Sequence, residues 1–297
     1  SVRSVYFYAA SQASLHVSNI QMSNNTFSGT SYFARMTQKN SLVFDGVQID
    51  TLTLTYTDYL PIFIEMSNLE SAIMNNVSIT DSIFTDGFTF FSLKGGDVNC
   101  TNIVIRNITA STTKKTIYFF YIPSGNSYFM NDITFDGIIS SGTSSLAFYL
   151  IYIKSSPTGT LSNLNVLNSE FPLRSGNLLY LRQTTITGTN IQCINNTLNG
   201  RFIYAYTVEM EFVNGNITGN TFTYRYIQLD KSSISTLDNL TIDNNSFKNE
   251  ALFFHHDNSK QTITNSRLSN NIFDTNSRLT TTQTGSKVNF TNCNIEN

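Results

Sequence analysis

Charge is scarce in this 297-residue chain: Asp, Glu, Lys and Arg make up only 13%, about half the usual share, and the net charge is −2. With pI ≈ 5.9 there is no surplus of Lys and Arg to neutralise a phosphate backbone, so nucleic-acid binding is excluded. No apolar run approaches 18 residues, which excludes a helical membrane span. Tryptophan is absent, and there are three cysteines, three histidines and four prolines. No Cys-x-x-Cys pair exists, and His16, His255 and His256 lack zinc-ligand spacing, so no metal or other cofactor is expected. Cys100, Cys193 and Cys293 read as small apolar fillers rather than a disulfide framework.

What fills the chain instead is Asn (36), Ser (35) and Thr (38), together with 38 Phe and Tyr residues in a 40% apolar background. That combination buries a core and keeps its surface wet with amides and hydroxyls; a disordered chain would have fewer apolar residues or more net charge. Both ends lack a polar cap, so the expectation is one domain over 1–297 that continues into a longer chain.

A nine-residue phrase recurs: Asn, apolar, any, apolar, any, Asn or Asp, Asn, any, Phe. Its clearest copy runs from Asn239 to Phe247, and others start at Asn19, Asn76, Asn163, Asn190, Asn214 and Asn265. Weaker copies start at Gly46, Asn102 and Lys287, and a distorted one at Asn131, giving a mean step of about 27 residues. Around the phrase, apolar and polar residues alternate as in strands, and no helical stripe with caps occurs. Three short strands and three bends fit into such a step at ~3.3 Å per residue. Stacked ~4.8 Å apart, the units make an all-β parallel β-helix of about 11 coils, three strands per coil.

Stacking turns the phrase into columns. Phe27, Phe84, Phe171, Phe222, Phe247 and Phe273 form an interior ring stack. Asn19, Asn76, Asn102, Asn163, Asn190, Asn214, Asn239 and Asn265 form a structural amide ladder stacked inside, and a further column contains Asn24, Asp81, Asn107, Asn168, Asn195, Asn244, Asn270 and Asn292. An amide can donate to one neighbouring coil and accept from the other. These columns resemble the right-handed parallel β-helix, or pectate-lyase-like, superfamily, whose coils carry asparagine ladders at bends. The resemblance covers essentially the whole chain and implies a fold, not a function. The shifted apolar residues Ile133 and Phe135 suggest a bulge in the coil at Asn131.

After each Phe column comes an aromatic strand that reads as apolar on both faces, as in Ile117-Tyr118-Phe119-Phe120-Tyr121-Ile122 and Phe202-Ile203-Tyr204-Ala205-Tyr206. A strand buried on one side should alternate, so an outward apolar strip on the order of 500 Å² is expected. Tyr118, Phe120, Tyr149, Tyr204, Tyr206 and Tyr226 are the candidate interface residues, facing another protein chain, further coils of the same protein, or glycans.

Catalytic residues are not expected. Enzymes of the resembled superfamily cluster carboxylates beside a basic residue, and here no column sets one acid beside another; its Asn-Thr-Asp, Gly-His-Gly and Arg-Ile-Lys signatures are missing. His255-His256 reads as a pair of exposed bend residues. Lys39, Lys94, Lys154, Arg182, Lys231, Lys260 and Lys287 read as one basic row after the aromatic strand, guarding a sheet edge. Nine Asn-x-Ser/Thr sequons occur, no more than composition gives by chance; Asn216, Asn289 and Asn99 are the candidate N-glycosylation sites. The expectation is a non-enzymatic structural module of an extracellular or cell-surface glycoprotein, self-associating or packing laterally through its aromatic face, as a filament or coat building block. A polysaccharide lyase or hydrolase, or a glycan-binding adhesin, is the alternative.

Overall fold

The computed structural model describes residues 4–9, 13–28, 31–37, 40–55, 62–112, 115–142, 147–155, 158–173, 176–249, 251–283 and 285–296. Lys39 lies outside them. The described chain is a parallel β-solenoid without helix, and each strand pairs with its equivalent one coil away. Thr221–Phe222 pairs with Ser246–Phe247, and that with Ile272–Phe273, all parallel. It makes about nine turns, slightly fewer than the copies of the phrase suggest.

The coils bend at left-handed residues in three places. The first two explain why strands such as Leu69–Thr85 and Asp97–Thr112 run so long, and the third follows the aromatic strand, at Asn68, Ser155, Gln183, Thr207, Lys231 and Asn258. Asn239 at φ 54° and Asn244 at φ 52° each turn the chain with a single residue while the ladder continues on both sides. Asn occupies most of these positions because it tolerates the left-handed region best among non-glycine residues. A single left-handed residue also resets the inward–outward phase, so Leu237, Leu240, Ile242, Asn245 and Phe247 all point inward.

This phase reset corrects the amide ladder. Asn19, Asn76, Asn102, Asn190, Asn214, Asn239 and Asn265 are exposed and Asn163 half-buried, all at positive φ on the outer first bend. Their side chains do bridge coils: Asn102 Nδ2 donates to Asn76 Oδ1 at 2.8 Å, Asn190 to Asn163 at 2.8 Å and Asn239 to Asn214 at 2.7 Å. The amides stacked inside are instead Asn196, Asn220, Asn245 and Asn271, one residue after the second bend. Asn220 Nδ2 donates to Asn245 Oδ1 at 2.9 Å, and Asn245 Nδ2 to Asn271 Oδ1 at 3.0 Å.

The structure also corrects the phrase at two places. Asp132, not Asn131, is the left-handed residue of its coil (φ 55°), and pairing with the preceding coil continues from Met130↔Cys100 to Ile133↔Ile103 without a register shift, so there is no bulge. At the C-terminal end Lys287 pairs with Lys260, and Asn292 Nδ2 faces Asn265 Oδ1 at 3.4 Å. Asn292 therefore belongs to the first bend.

The interior is a column of rings. Phe27, Phe84, Phe171, Phe222 and Phe247 are buried and Phe273 half-buried, with Phe222–Phe247 centroids 5.0 Å and Phe247–Phe273 4.5 Å apart. Cys100 and Cys193 are buried and Cys293 half-buried, all three as free thiols.

Candidate interaction face

The aromatic strand turns a corner in its middle, and this corrects the two-faced reading. Phe90-Phe91, Phe119-Phe120, Leu178-Leu179 and Phe202-Ile203 each put two consecutive side chains into the core. The doubled apolar residues mark a bend, not an outward apolar strip. Phe120 is fully buried against Phe91 (5.0 Å) and so is no interface residue. Tyr226 is 1% exposed, sandwiched between Phe202 at 5.0 Å and Phe253 at 4.8 Å, and burial pushes its hydroxyl pKa well up.

What faces outward is tyrosine. Register places Tyr118 beside Tyr149 in one column, and Tyr121, Tyr152, Tyr180 and Tyr204 in the next. Tyr118 and Tyr149 stack at 5.0 Å and 9°, and Tyr152 and Tyr180 at 4.5 Å and 6°. Edge contacts knit the two columns together, Tyr149–Tyr152 at 5.3 Å and Tyr149–Tyr180 at 5.6 Å. Each ring half-buries its neighbour, and desolvation raises the hydroxyl pKa values of Tyr118, Tyr149 and Tyr204, with that of Tyr152 pushed up to about 12. The hydroxyls stay neutral donors at any ordinary pH. Because the stacked ring faces are turned to one another along the solenoid, the surface presents ring edges and hydroxyls at roughly the coil spacing.

Beyond Tyr204 the same face becomes charged. The Arg201 guanidinium lies 5.2 Å from the Tyr204 centroid and 5.0 Å from that of Tyr224. It donates to Asn177 Oδ1 at 3.1 Å and to Gln228 Oε1, which also accepts from Arg225 at 3.0 Å. Gln228 Nε2 in turn donates to Asp230 at 2.8 Å. Tyr206 stands in a third outward column, with Arg182 over its ring at 4.9 Å and Asp230 as its register partner on the next coil.

Asp230 pairs directly with Asp257, so one column does set an acid beside an acid. Variable loop lengths hide this from a count along the sequence. His255, only 4% exposed, follows Gln228 in its column; burial and then the Arg225 charge lower its pKa to about 4. His256 is fully buried, its Nε2 2.7 Å from Gln261 Oε1, and burial lowers its pKa too. His256 is thus a core residue and His255 a covered member of the outward Tyr204–Gln228 column, and neither is an exposed bend residue. The basic residues likewise form no single row: Lys154 and Arg182 pair on the aromatic strand, Lys260 and Lys287 on the strand after the third bend, where Lys231 is itself the bend residue at φ 53°.

Asn99 and Asn289 are exposed on outward strand positions; Asn216 is half-buried, its Oδ1 accepting from the Thr218 hydroxyl at 2.6 Å. Among the described residues, no group of three or more His, Cys, Asp and Glu could hold a metal ion, and no helix is long and apolar enough to cross a membrane.

No protein-family model matches the chain, and no curated protein matches it. It is similar to a solved structure described as a new PL6 alginate lyase complex with trisaccharide, at 10% identity and a TM-score of 0.25, covering 96% of this chain and 80% of that one.

Proposed function

We propose that the chain is a non-enzymatic solenoid module of an extracellular or cell-surface protein, packing laterally against a second copy through its tyrosine face. The observation that carries this reading is the outward double column of stacked tyrosines from Tyr118 to Tyr204. A second copy offers the same ~4.8 Å rise, so two rows of ring edges can interdigitate along their length. The charges favour the same occupant. Arg182, Arg201 and Arg225 neighbour Asp230 and Asp257 on one face, so a two-fold-related copy can bring cations against acids. From Tyr121 to His255 the face spans five coil steps, ~24 Å, by ~20 Å of strand, about 500 Å² per copy. The total of about 1,000 Å² is the lower limit for a specific interface, so association in the micromolar range is expected. Exposed sequons at Asn99 and Asn289 fit a secreted chain. Electron microscopy of the chain at tens of micromolar tests the reading: rods joined side by side support it, and isolated short rods at every concentration count against it.

The Asp230–Asp257 pair favours a second reading, a glycan-active site with Arg225, neutral His255 and Tyr204 alongside. Its test is release of new sugar ends from a panel of neutral and acidic polysaccharides, lost in Asp230→Asn. Silence across the panel removes it.

A further inference from the structure

A groove of about 330 Å³ crosses the third bend on three successive coils, around the corner from Tyr206. It is lined by Gln183, Thr185, Thr207, Glu209, Ser232 and Ile234 among others. The bends here depart from the commonest choice, as Thr51 (φ 55°) and Ser155 (φ 54°) also do. Where the first two bends use mostly Asn, Asp or Gly, these three use Gln183 (φ 53°), Thr207 (φ 56°) and Lys231-Ser232 (φ 53° and 64°).

The Thr207 hydroxyl donates to Lys231 O at 3.2 Å within the bend, whereas other side chains here keep hydrogen-bonding capacity. Gln183 Oε1 accepts from Ser155 at 3.3 Å, which leaves its amide NH₂ to donate. The Ser232 hydroxyl accepts from Asn258 at 3.3 Å and keeps its own proton to give. The Glu209 carboxylate has no hydrogen-bond or ion-pair partner among the described residues, and Thr185 adds an exposed hydroxyl. Ile234, 49% exposed, contributes an aliphatic patch beside Val208. No cation lines the groove.

We infer that this groove binds a neutral polyhydroxylated ligand, a mono- or disaccharide. The groove is shallow and open and its lining is mostly polar, with Val208 and Ile234 as its aliphatic side chains, which suits a small hydroxyl-rich ligand that it covers on one side. Glu209 accepts from two vicinal hydroxyls, the Gln183 amide and Ser232 hydroxyl donate to ring or hydroxyl oxygens, and Ile234 covers a C–H face. An acidic sugar meets repulsion from Glu209, the one charged side chain that lines the groove, while Lys231 at the same bend lies outside the lining. The site is separate from the tyrosine face and does not depend on how that face is used.

The test is a nitrogen-15 NMR titration of the whole chain with maltose, cellobiose and mannobiose, and in parallel with a uronic-acid trimer. Saturable shifts confined to Gln183, Thr185, Glu209 and Ser232 with a neutral disaccharide are expected. Glu209→Gln, which keeps the shape, should weaken binding five-fold or more, as should Ile234→Ser. Both residues are exposed, so unchanged thermal midpoints verify that the variants fold. Shifts at the tyrosine face instead, tighter binding of the uronate trimer, or no shift with any neutral sugar would each overturn the assignment.

Discussion

Replacing Asn220 by alanine separates the inner amide column from the outer one. Asn220 is 1% exposed and bridges three coils: its Nδ2 donates to Cys193 O at 2.7 Å and Asn245 Oδ1 at 2.9 Å, and its Oδ1 accepts from Asn196 N at 2.9 Å and Asn196 Nδ2 at 3.1 Å. Alanine strands the Asn196 N–H and the Cys193 carbonyl, both buried, at about 1–3 kcal/mol each. The total loss is about 4 kcal/mol. Asn239→Gly, on the exposed first bend, removes only the 2.7 Å contact to Asn214, and glycine adopts the φ of 54° freely. That change costs under about 1 kcal/mol. Urea unfolding reads the difference: with m of about 3 kcal/mol/M or more, Asn220→Ala lowers the midpoint by roughly 1 M and Asn239→Gly by a fraction of that. Equal shifts for the two variants would refute the inner and outer assignment.

Three further outcomes follow from the packing. Phe120→Ala should destabilise by about 3–5 kcal/mol because it empties a fully buried ring site, whereas Tyr118→Ala should cost less and act on association; thermal unfolding of both variants checks this. Acidification should weaken the C-terminal coils. His255 has its pKa lowered from 6.5 to about 4, so the unfolded chain takes up the proton first; stability is intact above pH 6.5 and falls by about 3 kcal/mol as pH drops toward 4. Arg225, Asp230, His256 and Asp257 act on this site, and a His255→Gln variant should show a flatter stability curve over that range. A thiol reagent should modify Cys293 in the native chain while sparing buried Cys100 and Cys193, whose thiols burial holds protonated, that of Cys193 up to about 12; three fast-reacting thiols would contradict the core.

The strands and the phenylalanine column are legible in the sequence because both follow the two-residue period between bends. The inner amides are not, because one left-handed residue at Asn244 reverses the phase and sends Asn245 inward beside Phe247. The doublets Phe119-Phe120 and Phe202-Ile203 mislead for a related reason: a corner lets two neighbours point inward, which alternation forbids on a flat strand. Asp230 and Asp257 escape notice because coil lengths vary and only the pairing fixes their register. The Asn-Asn doublets at Asn195-Asn196, Asn244-Asn245 and Asn270-Asn271 are the signal that could have revealed the inner column.

The proposal that the tyrosine face packs against a second copy is tested most directly by sedimentation equilibrium of the wild-type chain beside a Tyr118→Ser, Tyr180→Ser double variant. The account predicts a concentration-dependent dimer in the micromolar range for the wild type and a monomer for the variant. A wild-type chain that stays monomeric to hundreds of micromolar, or a dimer that the double variant leaves intact, would contradict it.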